Sequence, residues 1–139
     1  MKNTIILLTM LLFSGIGFAQ ESNNGKQLWA KSFLNEKAPE LTVETWISKK
    51  PDTEGKFVII DFWATWCGPC RKAIPELNEI AKEFSKDVVF IGISDEPVEK
   101  IKAMKEPVIE YYYGVDTKKT MDKILEIKGI PHVIIIDPK

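Results

Sequence analysis

The chain is short of the residues that build metal centres and disulfide frameworks. Its 139 residues hold one histidine and two cysteines. Two cysteines close at most one internal bridge, which excludes a small domain stapled by several disulfides. One histidine excludes a histidine-rich metal site. An excess of one charge is also missing, because 19 basic and 20 acidic residues leave a formal charge of -1. Such a balance carries no electrostatic footprint for nucleic acid or an anionic membrane surface. What is present is a globular composition, 45% hydrophobic and 28% charged. That excludes a disordered chain, a collagen-like repeat and a polytopic membrane protein. The length is that of one domain.

The first residues read as an address. Lys2 precedes the apolar run Thr4–Phe18, and Gly17-Phe18-Ala19 places small residues three and one positions before a cut. A basic start, a short apolar core and a small-x-small end make a secretory signal peptide over residues 1–19. The alternative is an uncleaved membrane anchor, but the run is shorter than the ~20 residues that span a bilayer comfortably. No cysteine lies near the cut, which argues against a lipid-anchored form. Residues 20–37 follow as a leader, with the polar stretch Glu21–Lys26 expected to be flexible. Export places the cysteines where disulfides persist. The expected location is the periplasm, with membrane anchoring on the extracytoplasmic side as the alternative.

One folded domain is expected over residues 38–139. Leu41–Ile47 alternates in a manner that suits a strand, and Phe57–Trp63 is an apolar run broken by Asp61 alone. Runs of that kind suit strands covered on both faces, as do Val88–Ile93 and Val133–Ile136. After Cys70, residues Ala73, Ile74, Leu77, Ile80, Ala81 and Phe84 recur at helical spacing. A second helix is expected after Ser94 and Asp95 as cap candidates, with Pro97 in its first turn. Tyr111–Tyr113 reads as a short extended piece without a functional role. A third helix is expected over Thr117–Leu125, stopped by Gly129. Strands alternating with helices point to an α/β fold with parallel pairing.

The chemistry is concentrated in Trp66-Cys67-Gly68-Pro69-Cys70. The pair sits where a buried strand passes into a helix, so Cys67 meets the free N–H groups and the positive dipole end of a helix start. That placement favours the thiolate, which is the nucleophile. Cys70 lies about one turn later and can reach the same sulfur. Half of a zinc site is one alternative, but zinc takes four ligands and only His132 is available beyond the pair. A purely structural bridge is another, and closing so short a loop stabilises little. The strand-to-helix setting favours redox chemistry over both.

Val58–Pro75 (VIIDFWATWCGPCRKAIP) resembles the active-site segment of the thioredoxin superfamily. Lys37-Ala38-Pro39-Glu40 ahead of the first strand and Gly129-Ile130-Pro131 ahead of the last resemble the exported TlpA-like thiol-disulfide oxidoreductases. The resemblance covers Ala38–Lys139. It implies a thioredoxin-like fold, a central mixed sheet with flanking helices. It implies that Cys67 attacks and Cys70 resolves the mixed disulfide. The redox-active disulfide is then the whole redox group, with no separate cofactor and no metal. Asp61 interrupts a buried strand, where a carboxylate is costly unless it reaches water at an edge. The resemblance makes it a buried acid behind the dithiol, its pKa raised by desolvation, that takes the proton of Cys70. An Ile-Pro bond by itself is expected trans. The resemblance implies a cis Pro131 facing the disulfide, with the backbone of Ile130 open to a substrate strand. Trp66, Gly68 and Pro69 complete the expected substrate surface. His132 reads either as a substrate or thiolate contact or as a plain strand-start residue. Several exported relatives carry glutamate three residues after the second cysteine. Here that place is Ala73, so proton handling is expected to rest on Asp61.

These residues predict an exported reductase of disulfides in extracytoplasmic proteins, recharged by a membrane electron-transfer protein. The competing class is a copper-binding metallochaperone-like module using Cys67, Cys70 and His132, since thiolates favour Cu(I). The resemblance further implies a partner strand and a helix after Ile136, about 30–40 residues by usual element lengths. Without them Val133–Ile136 is expected to form an exposed apolar edge.

Overall fold

The computed structural model of the chain describes residues 28–138. The expected signal peptide over residues 1–19 and the stretch Glu21–Lys26, expected to be flexible, lie outside these residues. The elements run β1 (Thr45–Trp46), β2 (Phe57–Phe62), α1 (Gly68–Glu83), β3 (Val88–Ser94), α2 (Val98–Ala103), β4 (Tyr112–Val115), α3 (Thr120–Leu125) and β5 (His132–Ile136).

Among the described residues the strands form one sheet in the order β1-β4-β3-β2-β5. The apolar runs of β2 and β3 take inner positions, where strands are covered on both faces, while that of β5 lies at the edge. β2 pairs in parallel with β3, and β3 with β4, through connections that carry α1 and α2. The outer strands run the other way, β5 against β2 and β1 against β4. The sheet is therefore mixed, as the resemblance implies.

Alternation sorts β2 between two apolar layers. Val58, Ile60 and Phe62 pack with Met121 and Leu125 of α3. Ile59 and Trp63 pack with Cys70 and Ile74 of α1. Asp61 lies between Ile59 and Trp63 on the pleat, so it faces the α1 layer. Gly114 lets β1 approach β4, since a Cβ there would stand 2.6 Å from Thr45 O and from Val43 Cγ1.

Several expectations change. The first strand is shorter than Leu41–Ile47, because β4 offers ladder partners only to Thr45 and Trp46. Thr42 instead donates its N–H to Met121 Sδ at 3.3 Å. Neither Ser94 nor Asp95 caps α2; Pro97 holds the cap position and makes no side-chain bond. Ser94 Oγ accepts from Glu96 N at 3.3 Å instead. The third helix starts at Thr120, because Lys119 is left-handed at φ 57° and Thr117 is bound through N and Oγ1 to Glu44. It stops at Glu126, left-handed at φ 51°, before Gly129 is reached. Val133–Ile136 is not covered on both faces but forms the exposed apolar edge expected without a partner strand, with Val133 49% and Ile135 65% exposed. Trp29 is 63% exposed, although its backbone oxygen accepts from Lys128 N.

Candidate active site

The end of β2 delivers Trp63 and Ala64 into the core, and the chain then turns into α1. Cys67 is the N-cap of that helix, and Pro69 stands in its first turn, where a missing N–H costs nothing. Cys67 Sγ accepts the N–H of Cys70 at 3.3 Å. The sulfur thus takes the place of a capping oxygen, at the end where the helix dipole favours negative charge. Cys67 and Cys70 are joined in a disulfide and both are buried. Gly68 and Pro69 between them are exposed.

Asp61 is only 3% exposed, and burial pushes its carboxyl up to about 6, against a smaller lowering by Tyr111. Tyr111 donates its hydroxyl to Asp61 Oδ2 at 3.4 Å. Burial, followed by the charge and hydrogen bond of Asp61, raises the Tyr111 hydroxyl in turn. Tyr111 belongs to the same apolar layer as Cys67 and Cys70. The carboxyl expected behind the dithiol therefore lies in that layer, with a phenol as its partner.

Trp66 is 67% exposed beside the buried Cys67. It lines a cleft of about 250 Å3 together with Ile130, Ile93 and Asp95. The Ile130–Pro131 bond is cis, as is Glu106–Pro107. Pro131 is exposed. His132 pairs in register with Phe62 and so shares its face, the α3 side of the sheet. Cys70 lies on the α1 side. Among the described residues no three His, Cys, Asp or Glu side chains gather to hold a metal. The pairing with Phe62 puts His132 and Cys70 on different faces of the sheet, so it does not bring the third ligand of the copper reading to the cysteine pair.

Sequence reasoning missed two residues. Tyr111 was read as part of an edge strand without a role. Glu96, 5% exposed, accepts from Thr65 N at 2.5 Å and from Thr65 Oγ1 at 2.9 Å. Burial opposes its ionisation. The Lys100 ammonium at 2.6 Å and the two Thr65 donors outweigh burial and hold the carboxyl below its ordinary value. An acidic residue two positions after a buried strand was the only signal for it.

The model of the AhpC/TSA family matches residues 34–139. The chain belongs to the AhpC/TSA family. Within it the chain is a TlpA-like member of the thioredoxin superfamily. It is 26% identical over 111 residues to the thioredoxin-like protein YneN of Bacillus subtilis, covering 75% of this chain and 65% of that protein. It is 25% identical over 108 residues to the thiol-disulfide oxidoreductase ResA of the same species, covering 73% of this chain and 60% of ResA. The chain thus spans less than two thirds of either relative. The thioredoxin domain of a thiol-disulfide oxidoreductase from Bacteroides vulgatus superposes with a TM-score of 0.53 at 32% identity. That match covers 61% of this chain and 65% of the other.

Proposed function

We propose that the protein is an exported thiol-disulfide oxidoreductase that reduces disulfides of extracytoplasmic proteins through Cys67 and Cys70. The observation that carries this is the Cys67–Cys70 disulfide capping α1, with Asp61 buried in the same layer. The family and its disulfide-exchanging relatives support the reading.

In the reduced protein the Cys67 thiolate attacks one sulfur of a substrate disulfide. A mixed disulfide forms, the substrate S–S bond breaks, and the departing thiolate takes a proton from water. The Cys70 thiol then passes its proton to Asp61 and attacks Cys67 Sγ. The mixed disulfide breaks, the second substrate sulfur leaves as a thiolate that takes up the proton released from Asp61, and the Cys67–Cys70 bond closes. Two electrons have passed to the substrate, with one proton from Cys70 by way of Asp61 and one from water. An acceptor with a pKa of about 6 ionises close to neutral pH, which suits this transfer. Trp66, the residue before Cys67, and Ile130 line a cleft that offers the substrate chain a partly apolar surface.

The closed pair needs two electrons from outside. An extracytoplasmic protein draws them from a dithiol on a membrane electron-transfer protein, the partner that the resemblance implies. No helix among the described residues is long and apolar enough to cross a membrane. The N-terminal address is therefore the feature on which export rests.

The test is a redox titration combined with insulin reduction. A potential near the thioredoxin value of about -270 mV and turnover with a dithiol donor are expected. A potential near about -120 mV, that of a strong oxidant, would replace reduction with oxidation.

A further inference from the structure

We infer that Tyr111 is a positioning residue whose hydroxyl holds the Asp61 carboxyl in place within the cysteine layer and governs its readiness as proton acceptor. The inference rests on the assignment of Asp61 proposed above.

The phenol is placed by its surroundings. On its N-terminal side, Asn78 of α1 binds the chain twice, donating Nδ2 to Val108 O at 2.9 Å and accepting Glu110 N at 2.9 Å. On its C-terminal side, Tyr113 N donates to Ser48 Oγ at 2.9 Å. The ring is 6% exposed and stacks at a tilt on Phe90, centroids 6.4 Å apart. Gly92, the register partner of Asp61 on β3, makes room for it. A Cβ on Gly92 would lie 3.1 Å from Tyr111 Cε2 and 3.1 Å from Trp63 Nε1. A glycine opposite the acid thus lets the phenol reach over the sheet.

The groups around Asp61 leave Tyr111 as its polar partner. β3 presents Gly92 and β5 presents Val133 at the register positions, neither of them titratable. α1 contributes the cysteine pair to the layer. Among the described residues no ion pair reaches Asp61. A buried carboxylate with one neutral donor relies heavily on that donor, since a hydrogen bond to the charged form favours it.

The experiment compares the full chain with Tyr111→Phe, both reduced, between pH 4 and 9. The carboxyl carbon of Asp61 is followed by 13C NMR, and resolution of a Cys67 mixed disulfide by stopped flow. The variant is expected to move the Asp61 midpoint up by about one pH unit, the rate profile moving with it, a roughly tenfold loss at the acid end. An unmoved Asp61 midpoint overturns the inference. A moved midpoint with an unmoved rate profile upholds the contact and overturns Asp61 as acceptor. Should Tyr111→Phe fail to fold, the parent protein decides. Tyr111 Cζ should titrate with the Asp61 midpoint, and a Cζ that is flat through it overturns the inference.

Discussion

Thr65 gives both its N–H and its hydroxyl to the carboxylate of Glu96, at 2.5 and 2.9 Å. The two residues belong to different loops, one entering α1 and the other leaving β3. The pair ties the chain just before Trp66 and Cys67 to the neighbouring parallel strand. Parallel strands end on the same edge of a sheet, so their following loops can meet there. The chain at Cys67 is therefore held from two sides, by its own helix and, through Thr65, by Glu96.

Glu96→Ala is expected to lower stability by about 2–3 kcal/mol, since it strands two donors of Thr65 and frees Lys100. Faster hydrogen exchange at Thr65 and Trp66, with α3 unaffected, would locate the loss. The parent contribution is complete above pH 4.5, the ordinary value of the carboxyl, because its folded value lies lower. It is lost as pH falls through that folded value. Melts at pH 3 should therefore show a smaller difference between parent and variant than melts at pH 7.

Asp61 has the opposite sign. Its pKa rises from 3.8 to about 6 on folding, so the folded state binds the extra proton between those values. Its penalty is absent below pH 3.8 and complete above pH 6, where about two pH units correspond to about 3 kcal/mol. Asp61→Asn should then melt higher than the parent at pH 7 and equally at pH 3. Its disulfide exchange at pH 7 should fall by about two orders of magnitude, the low end of the usual range for loss of a general base. Equal melting at pH 7 would show that the carboxyl is not desolvated.

Cys67→Ser should abolish reduction of substrate disulfides, because the attacking sulfur is gone. Cys70→Ser should retain the first step and accumulate mixed disulfides, visible by mass spectrometry as a covalent adduct. Full turnover by Cys70→Ser would overturn the division of roles.

Gly114→Ala tests the edge of the sheet. The new methyl would meet the backbone oxygen of Thr45 at 2.6 Å, a contact that no side-chain rotation relieves. Loss of about 1–3 kcal/mol is expected, with β1 displaced from β4. A melt unchanged within 0.5 kcal/mol, about the noise for a harmless surface change, would refute the close packing.

The central elements were legible because their signals are local. Apolar runs at Phe57–Trp63 and Val88–Ile93 marked the strands Phe57–Phe62 and Val88–Ser94, and the spacing from Ala73 to Phe84 marked α1. The cysteine spacing and the strand-to-helix position declared the redox pair. Element ends were less legible. Lys119 and Glu126 adopt left-handed backbone that glycine ordinarily supplies, and this decides where α3 begins and ends. Glu44, 73 residues before Thr117, holds the chain ahead of it, and no window of sequence contains both.

The sequence by itself determined the α/β class, the dithiol, its place at a helix start and the anomaly of an acid in a buried strand. Each follows from residue type and period within one segment. Only the tertiary structure decided which groups meet that chemistry. Asp61 and Tyr111 lie 50 residues apart and Thr65 and Glu96 lie 31 apart. His132 is sent to the opposite face by its register with Phe62. Pairing order and register place these side chains, because a pleated strand offers each residue to one face only, and its neighbours there come from distant chain.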